Sequence, residues 1–378
     1  MKLGIFGGSF DPIHAEHREY VRAAKESLHL DRVVVVPSYI APHKHGGAAA
    51  DGINRLEMCK IAFRDDDFVE VSDYELTAGG TSYTYLTCRY FKELYPEAEL
   101  YFLVGADMLE NFFSWRNPDD ILKHVTLAAC GRGGDTPAAL HEKFISRFGV
   151  DFVEVPFTGE AVSSTNIRVA LAFQRKTEVE SLGALDPAVL LYINEGFLYQ
   201  FPEQAQALDL EKPERRAHSY RVARMACKRA RRLGIAEGKA LLAAMLHDCA
   251  KNIPSDSPMI APCDLPDGVP APVVHQYTGA YLAEYMFGVA DEEVLDAIRY
   301  HASGREDMTV LGKLIYLADL LEPSRNFPGV EALRTLFWND LDACLLASFE
   351  RQIVYLKGCG APIYRLTERA YEWVKTQK

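Results

Sequence analysis

The fold of the first half of the chain is decided by the stretch Leu3-Gly4-Ile5-Phe6-Gly7-Gly8-Ser9-Phe10-Asp11-Pro12-Ile13-His14-Ala15-Glu16-His17. Its apolar start predicts a short strand that ends in a glycine turn, and a helix follows. Glycines let a backbone approach a phosphate closely, and a helix N-terminus offers free N–H donors to an anion. His14 and His17 are spaced i, i+3, which places both rings on one face of the helix as it starts. The arrangement suits a nucleoside triphosphate, while the alternative is a strand–turn–helix with two packed histidines.

A second candidate anion site follows later in the same half. Val162-Ser163-Ser164-Thr165-Asn166-Ile167-Arg168 precedes the helical pattern Val169–Phe173. Ser and Thr are good N-caps, and their hydroxyl groups together with free N–H groups can hold an anion. Arg168 adds a bidentate donor. Taken alone, this run favours the simpler interpretation, a helix cap.

Strand-like and helix-like segments alternate through this half. Apolar strands are predicted at 2–7, 32–36, 99–104 and 125–130, with helices between them, for example Arg55–Phe63 and Tyr83–Leu94. This order predicts an α/β domain with a doubly wound parallel sheet. Ligands of such sheets lie beyond the carboxyl ends of the strands, where the opening motif and Gly105-Ala106-Asp107 both fall.

Together these motifs resemble the HxGH-type nucleotidyltransferases, with a Rossmann-like fold, and within them bacterial nicotinate-nucleotide adenylyltransferase. The resemblance covers about residues 1–196. Three positions depart from the family pattern: Ser9 replaces the usual Thr, Glu16 replaces the usual Gly, and Leu86 stands where Asp is expected. The residues that carry the resemblance are the opening motif, Pro42-His43-Lys44, Arg55-Leu56-Glu57-Met58, Ser82-Tyr83-Thr84, Gly105-Ala106-Asp107-Met108, Trp115, Arg132 and the Ser-Ser-Thr-x-Ile-Arg run.

The resemblance implies adenylyl transfer from ATP, accompanied by Mg²⁺, to nicotinate mononucleotide, a step of NAD biosynthesis. His14, His17, Lys44 and Arg168 would act on the phosphates, while Thr84 and Trp115 would form the nicotinate pocket. A pantetheine-phosphate adenylyltransferase, which shares the opening motif, is the alternative. The implied nucleotide-binding residues are Gly7, Gly8, Ser9, Phe10, Gly105, Asp107, Arg132, Ser163, Ser164 and Thr165.

The second half is predicted to be helical throughout. Histidines and carboxylates recur there in the order H…HD…H…H…D, which resembles the HD-domain metal phosphohydrolases. A lone histidine on a helix is usually packed or exposed, but every histidine of this half fits one ligand scheme. Iron or another divalent transition metal suits such ligands. The implied metal ligands are His218, His247, Asp248 and Asp319.

Local phrases around these residues resemble the bacterial symmetrical diadenosine-tetraphosphatases of the HD superfamily, over about residues 214–378. That family releases two ADP molecules from diadenosine tetraphosphate. His275 and His301 would contact phosphates or hold a second metal, and Lys251 and Arg325 would neutralise the leaving ADP. Ala302 stands where Thr is expected, near the substrate. The alternative is a nucleotide sensor without turnover. The helix that carries His218 is rich in cations, from Arg215 to Arg232, and most of them are interpreted as a solvated face.

Length and composition limit the remaining choices. With 378 residues, two domains are expected, at 1–196 and 214–378, joined by a linker at 197–213. No apolar run approaches the ~20 residues of a membrane span, and the N-terminus does not have the pattern of a signal peptide. The eight cysteines contain no CxxC pair, so we expect reduced thiols in a cytoplasmic protein. The net charge of −12 argues against a general nucleic-acid binder. A homo-oligomer remains open.

Overall fold

The computed structural model of the chain describes residues 1–41, 49–130, 138–159, 162–181 and 183–377. The chain divides into two compact units. The first unit comprises Met1–Arg168 and Lys176–Tyr199, and the second comprises Val169–Arg175 and Gln200–Lys378.

The first unit is built on a six-stranded, fully parallel sheet with the strand order β3-β2-β1-β4-β5-β6. The four predicted strands are confirmed, and two three-residue edge strands, β3 and β6, join them. The order reverses between β1 and β4, where Leu3 lies opposite both Arg32 and Leu100. This is the position at which open α/β sheets bind ligands. The strands are β1 (Lys2–Gly8), β2 (Arg32–Pro37), β3 (Val69–Val71), β4 (Glu99–Gly105), β5 (Thr126–Cys130) and β6 (Val153–Val155).

Helices connect the strands, as parallel neighbours require. A buried apolar cluster joins strand residues such as Ile5 and Phe102 to the helix and turn residues Phe91, Phe112 and Phe144. The helices are α1 (Ala15–Ser27), α2 (Gly52–Ala62), α3 (Tyr74–Ala78), α4 (Thr84–Leu94), α5 (Ala106–Asn111), α6 (Pro118–His124), α7 (Ala138–Phe148), α8 (Ser164–Ala172), α9 (Lys176–Ser181) and α10 (Pro187–Glu195).

The second unit is helical, and no strand occurs among its described residues, as predicted. Leu311, Leu314 and Ile315 are fully buried and form part of its core. The helices are α11 (Pro213–Ala230), α12 (Glu237–Leu246), α13 (Val274–Tyr285), α14 (Glu292–Arg299), α15 (Val310–Leu321), α16 (Val330–Asn339), α17 (Leu341–Gly358) and α18 (Arg365–Thr376).

The predicted linker at 197–213 is more ordered than its composition suggested. It contains a 3-10 helix, Gln204–Leu210, in which Ala205, Ala207 and Leu208 are buried. The domain boundaries themselves stay a prediction. Across the described residues, none of the helices combines the length and apolar character that a bilayer crossing demands. All eight cysteines are free thiols.

Candidate functional site

The first candidate site begins where β1 ends and α1 starts. His14 is the N-cap of α1, and its ring stacks on that of His17 with 3.7 Å between centroids. The backbone N–H of His14 donates to His17 Nδ1 at 3.2 Å. The ring of Phe10 packs edge-on against His17 at 5.2 Å. The two histidines are therefore held together at the positive end of a helix.

Burial sets the charge of this pair. His14 is buried, and burial, assisted by the charge of Arg168, lowers its pKa to about 4. Its ring is consequently neutral near pH 7 and keeps one N–H donor. His14 Nδ1 is buried without a hydrogen-bond partner in the described part of the chain. A ligand with polar oxygens would satisfy that atom.

The glycine turn is tightly packed. A Cβ on Gly8 would lie 2.8 Å from the Phe10 ring, so a side chain there would displace that ring. Phe10 itself has a positive φ of 46°. Gly7 pairs with Val36 in the sheet, and Ser9 Oγ lies 3.5 Å from Ser38 Oγ. Packing against Phe10 thus explains why a glycine occupies position 8. The predicted phosphate contacts of residues 7–10 stay a prediction.

Arg168 lies beneath the turn and is only 1% exposed. Its Nη1 donates to the backbone carbonyl of Asp11, and its Nη2 donates to Thr165 Oγ1 at 3.0 Å. In this structure the guanidinium therefore supports the opening motif, and its predicted contact with a triphosphate stays a prediction.

Two further residues that sequence reasoning gave no role hold the same turn. Arg55 is 2% exposed and donates from Nη1 to the Ser9 carbonyl at 2.8 Å. Tyr199 donates its hydroxyl to Asp11 Oδ1 at 2.8 Å. Asp11 also accepts from the backbone N–H groups of Ala49 and Ala50. Arg55 belongs to the segment that carries the family resemblance, which assigned it no contact, whereas Tyr199 gave no local signal.

The serine-rich motif meets the opening motif directly. Ser163 Oγ accepts from the N–H of Asn166 at 3.2 Å, and α8 begins at Ser164, five residues before the predicted helix. Ser164 Oγ donates to the Pro12 carbonyl at 3.0 Å. The structure therefore brings the two predicted anion sites together.

The other predicted residues of this unit occupy separate positions. Gly105 ends β4 and is the N-cap of α5. Thr84 starts α4, and Trp115 packs on Phe112 with 5.2 Å between ring centroids. The predicted residues Lys44 and Arg132, and the side chain of Asp107, lie outside the part of the chain that the structure describes.

The second candidate site is a cluster of histidines and carboxylates. His218 Nε2 lies 2.8 Å from Asp319 Oδ1. Asp248 Oδ1 lies 3.2 Å from His275 Nε2 and 3.5 Å from His301 Nε2, and Asp248 Oδ2 lies 3.6 Å from His247 Nε2. All six predicted residues thus converge, although they span about 100 positions of the sequence.

The donor set fits a divalent metal ion. Two overlapping groups, His218/His247/Asp319 and His247/Asp248/His301, have candidate ligand atoms within 4.8 Å of one another. His247 and His301 donate from Nδ1 to the carbonyls of Ala244 and Ile298, both at 2.8 Å, which leaves Nε2 for a ligand. His247 Nε2 is buried and has no hydrogen-bond partner among the described atoms.

Electrostatics favours the same interpretation. Burial lowers the pKa values of His247 and His275 to about 4, so both are neutral, the form that binds metals. Burial alone would raise the pKa of Asp319, but its hydrogen bond with His218 and the charges of His247 and His301 together hold the pKa well below its usual range. His218 Nδ1 in turn lies 3.1 Å from Glu322 Oε1, a carboxylate that orients the ring.

Cations surround this cluster. Lys251 Nζ lies 3.0 Å from His275 Nε2, and Arg325 Nη2 donates to Asp319 Oδ1 at 2.8 Å. Arg215 Nη1 donates to Asp248 Oδ2 at 2.7 Å. Sequence reasoning interpreted most cations of this helix as a solvated face, with steering of a polyphosphate as the alternative, and did not single out Arg215. Its position three residues before His218 places it on the same side of α11.

A buried glutamine shapes the loop after His301 and was also missed. Gln276 Oε1 accepts from the N–H groups of Ala302 and Ser303 at 3.3 and 3.0 Å. The backbone around the half-buried Ala302 is therefore fixed by Gln276, not by a hydroxyl of its own. The position of Ala302 beside a substrate stays a prediction.

Both halves of the chain match known protein families. The Cytidylyltransferase-like model matches residues 5–170, and the HD domain model matches residues 215–324. A relative from Mycoplasma genitalium, named probable nicotinate-nucleotide adenylyltransferase/Ap4A hydrolase, is 30% identical over 328 residues, which are 86% of this chain and 88% of the relative. A probable nicotinate-nucleotide adenylyltransferase of Clostridium perfringens strain SM101 is 36% identical over 202 residues, covering 53% of this chain and 98% of its own.

A solved structure is also similar to part of this chain. It is described as a predicted HD superfamily hydrolase involved in NAD metabolism from Clostridium acetobutylicum. It is 31% identical, with a TM-score of 0.43, and covers 47% of this chain and 96% of its own.

Proposed function

The chain belongs to the family that joins a nicotinate-nucleotide adenylyltransferase domain to an HD domain, and from this premise we propose that it carries two activities. The first unit transfers an adenylyl group from ATP to nicotinate mononucleotide, giving deamido-NAD and pyrophosphate. The second unit hydrolyses diadenosine tetraphosphate to two ADP. The observation that supports the first activity best is the stacked His14–His17 pair, which Ser164 and Arg168 connect to the second motif.

Adenylyl transfer at this site needs no protein nucleophile. A phosphate oxygen of nicotinate mononucleotide forms a bond to the α-phosphorus of ATP, and the bond from that phosphorus to the α,β-bridging oxygen breaks. The enzyme positions the groups and stabilises negative charge. His17, at the N-terminus of α1, donates to the bridging oxygen as charge develops there, and the neutral His14 donates beside it. Mg²⁺ arrives with ATP.

The nucleotide and pyridine ends need separate contacts. Ser163 and Thr165 offer hydroxyl donors to the triphosphate, and Ser163 to Thr165 offer backbone N–H groups, with Gly105 at the neighbouring strand end; the Ser164 hydroxyl is engaged by Pro12. Trp115 and Thr84 form the nicotinate pocket, in which the indole ring stacks on the pyridine ring.

In the second unit, His218, His247, Asp248 and Asp319 hold a divalent ion, and His301 is placed to join them. A metal bound there supplies a water of lowered pKa. The protein contributes the imidazoles of His218 and His247 and the ionised carboxylates of Asp248 and Asp319 to bind the ion. Lys251, Arg325 and Arg215 neutralise the phosphates of the substrate and of the leaving ADP.

The function is tested by presenting the purified protein with ATP and, in parallel, nicotinate mononucleotide, nicotinamide mononucleotide or phosphopantetheine. We expect product only, or predominantly, with nicotinate mononucleotide. Preference for phosphopantetheine would overturn the assignment of the first unit.

A substitution then assigns the chemistry to the histidine pair. His17→Ala should lower kcat for adenylyl transfer by roughly 10²–10³, the usual effect of removing one charge-stabilising donor. Hydrolysis of diadenosine tetraphosphate by the same preparation is the internal control and should not change. Near-normal transfer by the variant would exclude His17 from the mechanism.

A further inference from the structure

Glu16 occupies an unusual place for a carboxylate. It lies in the first turn of α1, between His14 and His17, where an incoming phosphate would also seek the positive end of the helix. A carboxylate free to point at that phosphate would oppose its binding.

In the structure this carboxylate contacts the segment that precedes the serine-rich motif. Glu16 Oε1 accepts a hydrogen bond from the backbone N–H of Val162 at 3.1 Å, across 146 positions of sequence. The group also lies against Gly159. A Cβ built on Gly159 would be 3.2 Å from Glu16 Cδ and 3.3 Å from Glu16 Oε2, so the missing side chain gives the carboxylate room.

Val162 directly precedes the serine-rich motif. Ser164 and Arg168 already connect that motif to Pro12 and Asp11. The Glu16 contact adds a third connection, at the N-terminal end of the serine-rich motif. Glu16 itself lies between the two histidines in the sequence.

We infer that Glu16 is a positioning residue for adenylyl transfer, which fastens the anion site at Ser163–Thr165 to the histidine pair. The inference rests on the proposed function of the first unit. The carboxylate acts as the hydrogen-bond acceptor for the Val162 N–H group, and this contact holds it at the N-terminal end of the serine-rich motif.

The test separates the acceptor from the charge. Glu16→Gln keeps an oxygen acceptor and loses the charge, whereas Glu16→Ala loses both. We expect Glu16→Ala to raise the KM for ATP by about 3- to 10-fold, the scale of one hydrogen bond, with kcat changed by less than about 3-fold. Glu16→Gln should recover most of that loss, and the KM for nicotinate mononucleotide should stay constant in both. Glu19→Ala, an exposed carboxylate on the same helix, is the matched control.

Two results would overturn the inference. If both Glu16 variants bind ATP more tightly than the wild type, the carboxylate repels the triphosphate. If neither variant differs from Glu19→Ala, the contact has no role in the reaction.

Hydrogen exchange of the Val162 amide gives a readout that does not depend on activity. Protection should fall in Glu16→Ala and persist in Glu16→Gln. If the wild type performs no adenylyl transfer but exchange follows this pattern, the proposed function fails while the connection between the motifs stands. Equal protection in all three proteins would refute the connection itself.

Discussion

At the scale of single residues, burial converts ordinary histidines into neutral ones at both sites. The spacing of His14 and His17 predicted that their rings would share a helix face, which the stacked pair confirms. Sequence could not predict that His14 would be buried, because this depends on the packing of distant segments around the turn. The same applies to His247, whose Nε2 atom is buried because α12 packs into the second unit.

A neutral buried histidine makes stability depend on pH. The pKa of His14 is about 4 in the folded chain, against ~6.5 when unfolded. Between these values the unfolded state binds the proton first, so stability falls as the pH drops from 6.5 to 4 and levels off below that range. From pH 7.5 to 5.0 the contribution is about 2 kcal/mol.

The measurement is the free energy of unfolding in urea at both pH values, with hydrogen exchange of the β1 amides reporting on the first unit. Wild type should lose about 2 kcal/mol more than His14→Gln over this interval. Other titrating groups affect both proteins equally. The same pH dependence in both proteins would show that His14 is not buried in its neutral form.

At the scale of elements, length decided what could be predicted. The runs that form β1, β2, β4 and β5 have five to seven residues, of which three to five in succession are buried, and each was predicted. Strands β3 and β6 have three residues each and belong to the sheet only by pairing with β2 and β5. No local pattern of that length distinguishes a strand from a loop.

The segment after α10 shows a second limit of local patterns. Tyr199 was assigned to the linker, yet its side chain is buried and its hydroxyl reaches Asp11, 188 positions away. Its backbone has a positive φ of 60°. Only the three-dimensional path of the chain reveals this contact.

Tyr199→Phe should therefore destabilise the first unit, because a buried carboxylate oxygen loses a donor. The expected cost is about 1–2 kcal/mol, measured by urea unfolding of the full chain with exchange of first-unit amides as the probe. Tyr39→Phe, at an exposed tyrosine of the same unit, is the control and should change little. Equal stability of the two variants would mean that the hydroxyl of Tyr199 contributes nothing to the turn.

At the scale of the whole molecule, the two proposed phosphate-binding sites belong to a chain with a net charge of −12. Each site therefore depends on local donors, not on the overall field. The order of histidines and carboxylates in the second unit predicted a cluster that the structure does form, with donor groups able to hold a metal ion. It did not reveal Arg215, Glu322 or Gln276, because these residues reach the cluster only after α11, α13 and α15 pack together.

The separation of the two sites into two units predicts that their activities can be separated. Asp248 lies between His247, His275 and His301 and also neutralises Arg215. Asp248→Ala removes a ligand and leaves the Arg215 cation unpaired beside the site, and both changes weaken the binding of a divalent ion. We expect the variant to lose bound metal and tetraphosphate hydrolysis together, as should wild type treated with a chelator, and added Fe²⁺ or Mn²⁺ should restore only the wild type. Adenylyl transfer should stay within about 2-fold, since the described residues of that site belong to the other unit.

Metal content by mass spectrometry and ADP release are measured beside Asp256→Ala, an exposed carboxylate of the same unit. Full hydrolysis by metal-free Asp248→Ala would refute the metal site, and a metal-loaded wild type without hydrolysis would make the second unit a sensor.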